Sequence, residues 1–197
     1  MKKAIKILSR DPVMKKLIGK YGELTLTGSD DYFTDLAGNI IGQQLSGKAA
    51  ATIWKRVVAL SDGDVSAGKI LSISDEALRQ AGTSSNKAKY IKNLAAAVMD
   101  KTLNLENIPE YDNEEIIRQL TAIKGIGRWT AEMFLIFSLA REDVFSIGDG
   151  GLNSAVNRLY GGGGVLGKGE IVNIAEKWKP YRSIASLYLW RSLDKES

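Results

Sequence analysis

One carboxylate in this sequence is placed where it could do chemistry. Asp149 follows the largely apolar stretch 144–147 and precedes a helical pattern that begins at Gly150 and Gly151. An aspartate at the start of a helix most often caps the backbone N–H groups two and three residues later, and such a cap also fixes the direction of the carboxylate. A helix cap and a catalytic carboxylate are therefore two open and compatible interpretations of Asp149.

The composition limits what the other residues can do. The 197 residues include no cysteine and no histidine, which excludes disulfides, iron–sulfur clusters, thiolate or imidazole metal sites and Ser-His-Asp catalysis. Acid–base chemistry must use Asp, Glu, Lys or Tyr. A net charge of +4 and a pI near 9.1 mildly favour anionic partners. Since we find no signal peptide and no apolar run of about 18 residues, we expect a soluble cytoplasmic protein without membrane contact.

A second feature is a glycine-rich break between two helical patterns, which ends 22 residues before Asp149. The pattern stops at Gly125-Ile126-Gly127 and restarts at once with Arg128 and Trp129. Glycines tolerate a positive φ and have no Cβ to block another backbone, and the following helix start presents unpaired N–H groups to an anion. Such a hairpin could bind DNA phosphates without reading sequence, or it could be an ordinary tight helix connection. The predicted phosphate-binding residues are Gly125, Ile126, Gly127, Arg128 and Thr130.

The periodicity is helical almost everywhere and predicts an all-α fold. Cap and stop signals place the helices at Asp11–Tyr21, up to Gly42, after Ser46, from Ser74 to Gly82, after Ser84, after Asp112 with Glu115 as a capping box, at Trp129–Leu139, Glu170–Trp178 and Arg182–Leu193. The helix after Ser46 is expected to bury Ala49, Ala50, Ile53, Trp54, Val57 and Val58. Gly161–Gly164 is expected to form a flexible surface loop.

Four segments resemble the helix-hairpin-helix DNA glycosylase superfamily, in particular its 3-methyladenine DNA glycosylase II (alkylpurine glycosylase) branch. They lie at 40–46, 82–90, 120–131 and 143–153, and the resemblance covers nearly the whole chain. It implies one unit over residues 1–197, with the hairpin at about 114–139 and a two-lobed helical bundle whose active site lies in the cleft between the lobes. It also implies a monomer that excises a damaged base from double-stranded DNA and leaves an abasic site.

The resemblance assigns roles to the residues with chemistry. Asp149 becomes the catalytic carboxylate, which stabilises the oxocarbenium-like sugar of the transition state. Trp129 stands where bifunctional relatives carry a Schiff-base lysine, so we expect no lyase activity. Trp129 and Trp190 would line the base pocket and attract a cationic alkylated base by cation–π stacking. Tyr188 and Trp54 are weaker pocket candidates, and ordinary core packing is the alternative for all four.

The loop before Ser46 would supply the side chain that fills the gap left by a flipped base. The predicted wedge residues are Gln44, then Leu45 and Gln43, unless the glutamines only satisfy backbone groups in a tight turn. Further expected DNA contacts come from Ser46 and Lys48, and from Lys87 and Lys89 unless these form a solvated helix end. No cofactor is required, but the resemblance adds a Na⁺ or K⁺ ion held by the backbone carbonyls of Thr121, Ile123 and Ile126.

The match is weaker at Gly150 and Asn153, where close relatives more often have a bulky apolar residue and an arginine, so the sequence leaves the choice of substrate open. One alternative function is a glycosylase for oxidised or deaminated bases. Another is a non-catalytic helix-hairpin-helix DNA-binding module, and a third is a helical scaffold for protein partners. A pure binding module would have no need of Asp149, and a scaffold would have no need of the hairpin glycines.

Overall fold

The computed structural model describes residues 1–194, and over these residues the chain is helical and contains no strand. The predicted all-α fold is therefore confirmed. The helices are α1 (Lys2–Leu8), α2 (Pro12–Tyr21), α3 (Tyr32–Gly42), α4 (Gly47–Leu60), α5 (Ala67–Ser72), α6 (Asp75–Gln80), α7 (Ser85–Met99), α8 (Asn113–Thr121), α9 (Arg128–Met133), α10 (Gly150–Tyr160), α11 (Lys168–Glu176) and α12 (Arg182–Arg191), with a 3₁₀ turn at Ile108–Glu110 and a π-helical turn at Phe134–Ser138. None of these helices is long and apolar enough to cross a membrane.

The chain divides into two compact units. The terminal unit consists of residues 1–28 and 135–197, and the central unit of residues 29–134. The last three residues of the predicted unit 1–197 lie outside the described residues.

The central unit is built around α7, which packs against α3, α5 and α6. Its helices start where the sequence predicts, because the hydroxyls of Ser46, Ser74 and Ser84 each accept an N–H from the first turn that follows. Asp112 caps α8 in the same way through the Glu115 N–H. The Glu115 side chain, however, bonds Arg118 and Gln119 instead, so the predicted capping box is only half formed.

The core of the terminal unit gathers α1, α2, α10, α11 and α12 around the fully buried Trp178 and Tyr188. Asp11 joins three parts of this core. Its Oδ1 caps α2, while its Oδ2 accepts the Tyr160 hydroxyl at 3.0 Å and the Trp178 indole N–H at 3.2 Å. This network connects the start of α2 with the end of α10 and with Trp178, which follows α11.

Four elements differ from the prediction. Helices α1 and α5 were not predicted, because six or seven residues are too few for a clear periodicity. The apolar stripe expected on α4 is half-buried, and only Val57 in it is fully buried, because α4 packs mainly on α3. The predicted helix 129–139 is α-helical only to Met133 and continues as the π-helical turn.

Candidate functional site

Asp149 is the buried N-cap of α10, with 8% of its surface exposed. Its Oδ1 accepts the Leu152 backbone N–H at 2.7 Å and the indole N–H of Trp190 at 3.0 Å. The predicted cap is therefore confirmed. Two donors from different helices hold one carboxylate oxygen, so the carboxylate is fixed in direction before any ligand binds.

Trp190 is itself held between a glycine and a second aromatic ring. A Cβ added at Gly151 would lie 3.1 Å from Asp149 Oδ1 and 3.4 Å from the Trp190 ring, so glycine leaves the room that this hydrogen bond requires. The Phe137 ring lies 5.5 Å from the Trp190 ring at 32° and is 45% exposed. Phe137 was not identified from the sequence, because the helical pattern at Trp129–Leu139 does not show which of its aromatic residues is exposed.

The neighbours of Asp149 in the sequence have structural roles. Asp143 forms an ion pair with Arg182, whose Nε donates to Oδ1 at 2.7 Å. Asn153 donates its amide N–H to the Ile147 carbonyl at 3.0 Å, while its Oδ1 is buried and has no hydrogen-bond partner among the described residues. These contacts fix the loop that delivers Asp149 to the start of α10.

Tyr188 does not fit the predicted pocket role. Its side chain is fully buried, and its hydroxyl donates to the Gly22 carbonyl at 2.8 Å and accepts the Leu24 N–H at 3.2 Å. Burial raises the pKa of this phenol. The ring offers no exposed face to a base, so the prediction for Tyr188 is wrong and its role is to anchor the chain after α2.

The hairpin between α8 and α9 uses its two glycines differently. Gly125 has φ +112°, and a Cβ there would overlap the Tyr90 side chain, with 2.7 Å to Cδ1. Gly127 caps α9 with φ −91° and ψ 169°, and a Cβ there would meet nothing within 4 Å. The positive φ considered for Gly127 is thus wrong, and its backbone faces open space.

The loop between α3 and α4 is a tight turn. The Leu45 N–H donates to the Gly42 carbonyl at 3.1 Å, and Gln43 has φ −50° and ψ 130°. Gln44 follows with φ +56° and is exposed, as is Leu45 at 38%. These angles indicate a type II turn, in which the third position favours glycine or asparagine. Gln44 therefore occupies a strained backbone position at an exposed tip.

Gln43 points inward from this turn. Its Nε2 donates to the Gly125 carbonyl at 3.0 Å and to the Thr130 hydroxyl at 3.2 Å. The wedge role considered for Gln43 is therefore wrong. Its amide instead satisfies a backbone carbonyl and a hydroxyl of the neighbouring segment. Thr130 is itself buried, so a phosphate contact from its hydroxyl is not supported.

Lys87 also supports this turn. Its Nζ donates to the Ile41 carbonyl at 2.8 Å and to the Gln43 carbonyl at 2.6 Å. Burial lowers the pKa of this ammonium. The expectation that Lys87 contacts DNA is not supported, because its half-buried ammonium bonds these two carbonyls, whereas Lys89 on the same helix is exposed.

Trp129 lies in the first turn of α9 and is 41% exposed. With Gln43, Gln44, Tyr90 and the residues 125–127 it lines an open depression of about 500 Å³. Trp54, the other tryptophan predicted to line the pocket in this unit, packs its ring against Gly38 of α3. A Cβ added at Gly38 would lie 3.8 Å from this ring, so Trp54 packs α4 against α3.

The predicted phosphate contacts differ in their availability. Lys48 is exposed in the first turn of α4, and Ser46 is exposed but uses its hydroxyl as the helix cap. The Arg128 guanidinium lies 2.7 Å from Glu114 Oε1 and 2.9 Å from Glu132 Oε1. These partners raise the pKa of Arg128, and Arg128 lowers that of Glu114. A phosphate role for the Arg128 side chain is therefore not supported.

The hairpin carbonyls proposed to hold a cation belong to a closely bonded turn. The Ile123 carbonyl accepts the Ile126 N–H at 3.0 Å, and the Lys124 carbonyl accepts the Asn93 amide at 3.0 Å. Backbone carbonyl oxygens suit hard cations, and each has two lone pairs. The donor set of Thr121, Ile123 and Ile126 therefore fits a monovalent cation in its chemistry.

The family is decided by residues 37–180, which match the model described as HhH-GPD superfamily base excision DNA repair protein. The chain belongs to this superfamily. The matched range contains the turn 42–45, the hairpin and Asp149, and it ends before Trp190. This agrees with the resemblance drawn from the sequence.

Individual relatives are similar over nearly the whole chain. The solved DNA-3-methyladenine glycosidase of Bacillus halodurans is 41% identical, with a TM-score of 0.84 over 94% of this chain and 86% of that one. The 3-methyladenine DNA glycosylase Mag1 of Schizosaccharomyces pombe, solved in complex with abasic DNA, is 31% identical, with a TM-score of 0.89 over 99% and 100%. A DNA-3-methyladenine glycosylase of Saccharomyces cerevisiae is 33% identical over 94% of this chain and 77% of its own length.

Proposed function

We propose that this chain is a DNA glycosylase that hydrolyses the N-glycosidic bond of alkylated purines of the 3-methyladenine and 7-methylguanine type in duplex DNA. The observation that carries the proposal is Asp149, a buried carboxylate that lies within the family's matched range and is held by two N–H donors. Membership of a family of base excision repair proteins supports the reaction, and relatives named 3-methyladenine glycosylases support the substrate class. The product is an abasic site.

The proposed chemistry depends on charge rather than on proton transfer. Departure of the base leaves an oxocarbenium-like sugar, and a fixed carboxylate beside it stabilises the developing positive charge. Asp149 can also orient the attacking water. An alkylated purine that is already cationic is a good leaving group, so the lack of histidine in the chain is no obstacle.

We further propose that the enzyme stops after base release. A lyase step needs an amine that forms a Schiff base with the sugar. The hairpin position that carries such a lysine in bifunctional glycosylases is Trp129 here. Its exposed indole is proposed instead to stack on a cationic base by a cation–π contact. In the terminal unit, the Trp190 indole lies beside Asp149.

DNA binding is assigned to the hairpin and the turn of the central unit. The open space at Gly127 allows a phosphate to approach the backbone of α9, with Lys48 as an additional cation. Gln44 and Leu45, exposed at the tip of the turn, are the proposed wedge. A Na⁺ or K⁺ ion bound by the carbonyls of Thr121, Ile123 and Ile126 would help to bridge the hairpin to a DNA phosphate. We also propose that the protein acts on damaged duplex DNA as a monomer in the cytoplasm.

A set of duplexes that each contain one lesion tests this function. We expect release of 7-methylguanine, with strand breaks appearing only after alkali treatment, and no release by Asp149→Asn. Efficient release of 8-oxoguanine without release of methylated purines would favour a glycosylase for oxidised bases. Tight duplex binding without release of any base would indicate a binding module.

A further inference from the structure

The turn Gly42–Leu45 is held on two sides by hydrogen bonds to other segments of the central unit. On one side Lys87 of α7 donates to the carbonyls of Ile41 and Gln43, at 2.8 and 2.6 Å. On the other side the Gln43 amide donates to the Gly125 carbonyl and the Thr130 hydroxyl, at 3.0 and 3.2 Å. The turn is therefore attached both to α7 and to the hairpin.

These attachments surround a residue in an unfavourable backbone conformation. Gln44 has φ +56°, a region that side chains other than glycine and asparagine rarely occupy. Such a conformation is strained and persists only where the surrounding contacts enforce it. The contacts of Lys87 and Gln43 on the preceding residues are the ones that can enforce it.

We propose that Lys87 is a positioning residue for base flipping: its ammonium, bonded to the Ile41 and Gln43 carbonyls, fixes the turn so that Gln44 projects outward for insertion into the DNA stack. This inference rests on the proposed function, since it assumes that Gln44 is the wedge. Lys87 contacts no DNA in this arrangement and acts only through the backbone of the turn.

The same helix braces the hairpin. Tyr90, three residues after Lys87, packs where a Cβ of Gly125 would lie, and Asn93, three residues further, donates to the Lys124 carbonyl. One face of α7 thus supports the wedge turn and the phosphate-binding hairpin together. Gln43 also connects the two loops directly. The position of the wedge is therefore fixed relative to the phosphate that the hairpin is proposed to bind.

The test measures binding rather than catalysis. A duplex with a tetrahydrofuran abasic analogue opposite 2-aminopurine reports both affinity and, by fluorescence, filling of the gap. Lys87→Met is compared with Gln44→Ala, with the double variant and with Lys55→Met, a matched control at an exposed lysine of α4 to which no DNA contact is assigned. Circular dichroism checks the folded fraction, and Lys87→Gln replaces Lys87→Met if that fraction falls.

We expect Lys87→Met and Gln44→Ala each to weaken binding to the analogue duplex by about tenfold, while undamaged duplex is bound within about twofold of wild type. Because Lys87 acts through Gln44, the double variant should bind like Gln44→Ala alone. Lys55→Met should leave the fluorescence response intact. A loss that multiplies in the double variant, or equal losses in both lysine variants, would overturn the proposal. So would wild-type binding by Gln44→Ala. Failure of the wild type to release any base would contradict the proposed glycosylase function without altering this binding comparison.

Discussion

Replacing Asp149 by asparagine separates the two roles of this residue. The amide keeps an acceptor oxygen for the Leu152 N–H and the Trp190 indole N–H, so the cap of α10 is retained. What is lost is the negative charge, which makes the exchange a test of electrostatics rather than of folding.

The expected cost to stability is small. Two charge-assisted hydrogen bonds become neutral ones, and each such change is worth roughly 0.5–1 kcal/mol. The total of about 1–2 kcal/mol lowers the midpoint of thermal unfolding by about 2–8 °C in a domain of this size. The protein should therefore remain folded at the temperature of an excision assay.

The expected cost to catalysis is much larger. Removing one preorganised group that stabilises transition-state charge typically costs a factor of about 10²–10³. Since Asp149 would contribute a full charge beside the developing cation, we expect a loss of about a thousandfold or more in the single-turnover rate on a 7-methylguanine duplex. Binding to undamaged duplex should stay within a few-fold of wild type.

Asp143→Asn is the matched control. It removes a carboxylate six residues earlier that pairs with Arg182 and has no proposed role in the reaction. We expect it to lower the unfolding midpoint while excision at a permissive temperature stays close to wild type. Excision by Asp149→Asn within a few-fold of wild type, or an equal loss in both variants, would refute the catalytic role of Asp149.

Three further outcomes are expected. Gly127→Ala should fold normally but bind every duplex more weakly, because its Cβ would occupy the open space where phosphate is proposed to approach. Gly125→Ala, in contrast, should lose roughly 2–4 kcal/mol of stability because of its positive φ and its overlap with Tyr90. Unchanged binding by Gly127→Ala across a salt series would show that the hairpin only connects two helices. Borohydride should trap no covalent protein–DNA adduct, since position 129 has no amine, and a trapped adduct at any lysine would contradict the monofunctional assignment. Trp129→Ala should reduce excision of a cationic methylated purine more than excision of neutral hypoxanthine. The difference between the two losses should be a factor of about 5–30, the value of a desolvated cation–π contact. Equal losses on both lesions would contradict a cation–π role for Trp129.

Local sequence signals predicted the helices well where a cap or a stop residue marks the boundary. Ser46, Ser74 and Ser84 each cap the expected helix, and Gly82 ends one with φ +104°. These signals depend on neighbours three or four residues apart, which the chain order reveals directly.

Contacts between distant residues could not be read in the same way. The hydrogen bond from Trp190 to Asp149 joins residues 41 positions apart, and the one from Lys87 to the Gln43 carbonyl spans 44. Periodicity indicates that a residue is buried but not which group it meets. A lysine at a helix start was therefore interpreted as a DNA contact, although the fold directs it onto backbone carbonyls.

The pairing of Arg128 has a consequence for how DNA binding depends on salt. Affinity falls with added salt in proportion to the number of cations that displace counterions from phosphates. Arg128 is already balanced by Glu114 and Glu132. Moving it to a phosphate would exchange one anion for another and leave two carboxylates facing the backbone. The slope of log affinity against log salt should therefore be insensitive to this arginine, even though it occupies the first position of the helix proposed to meet DNA.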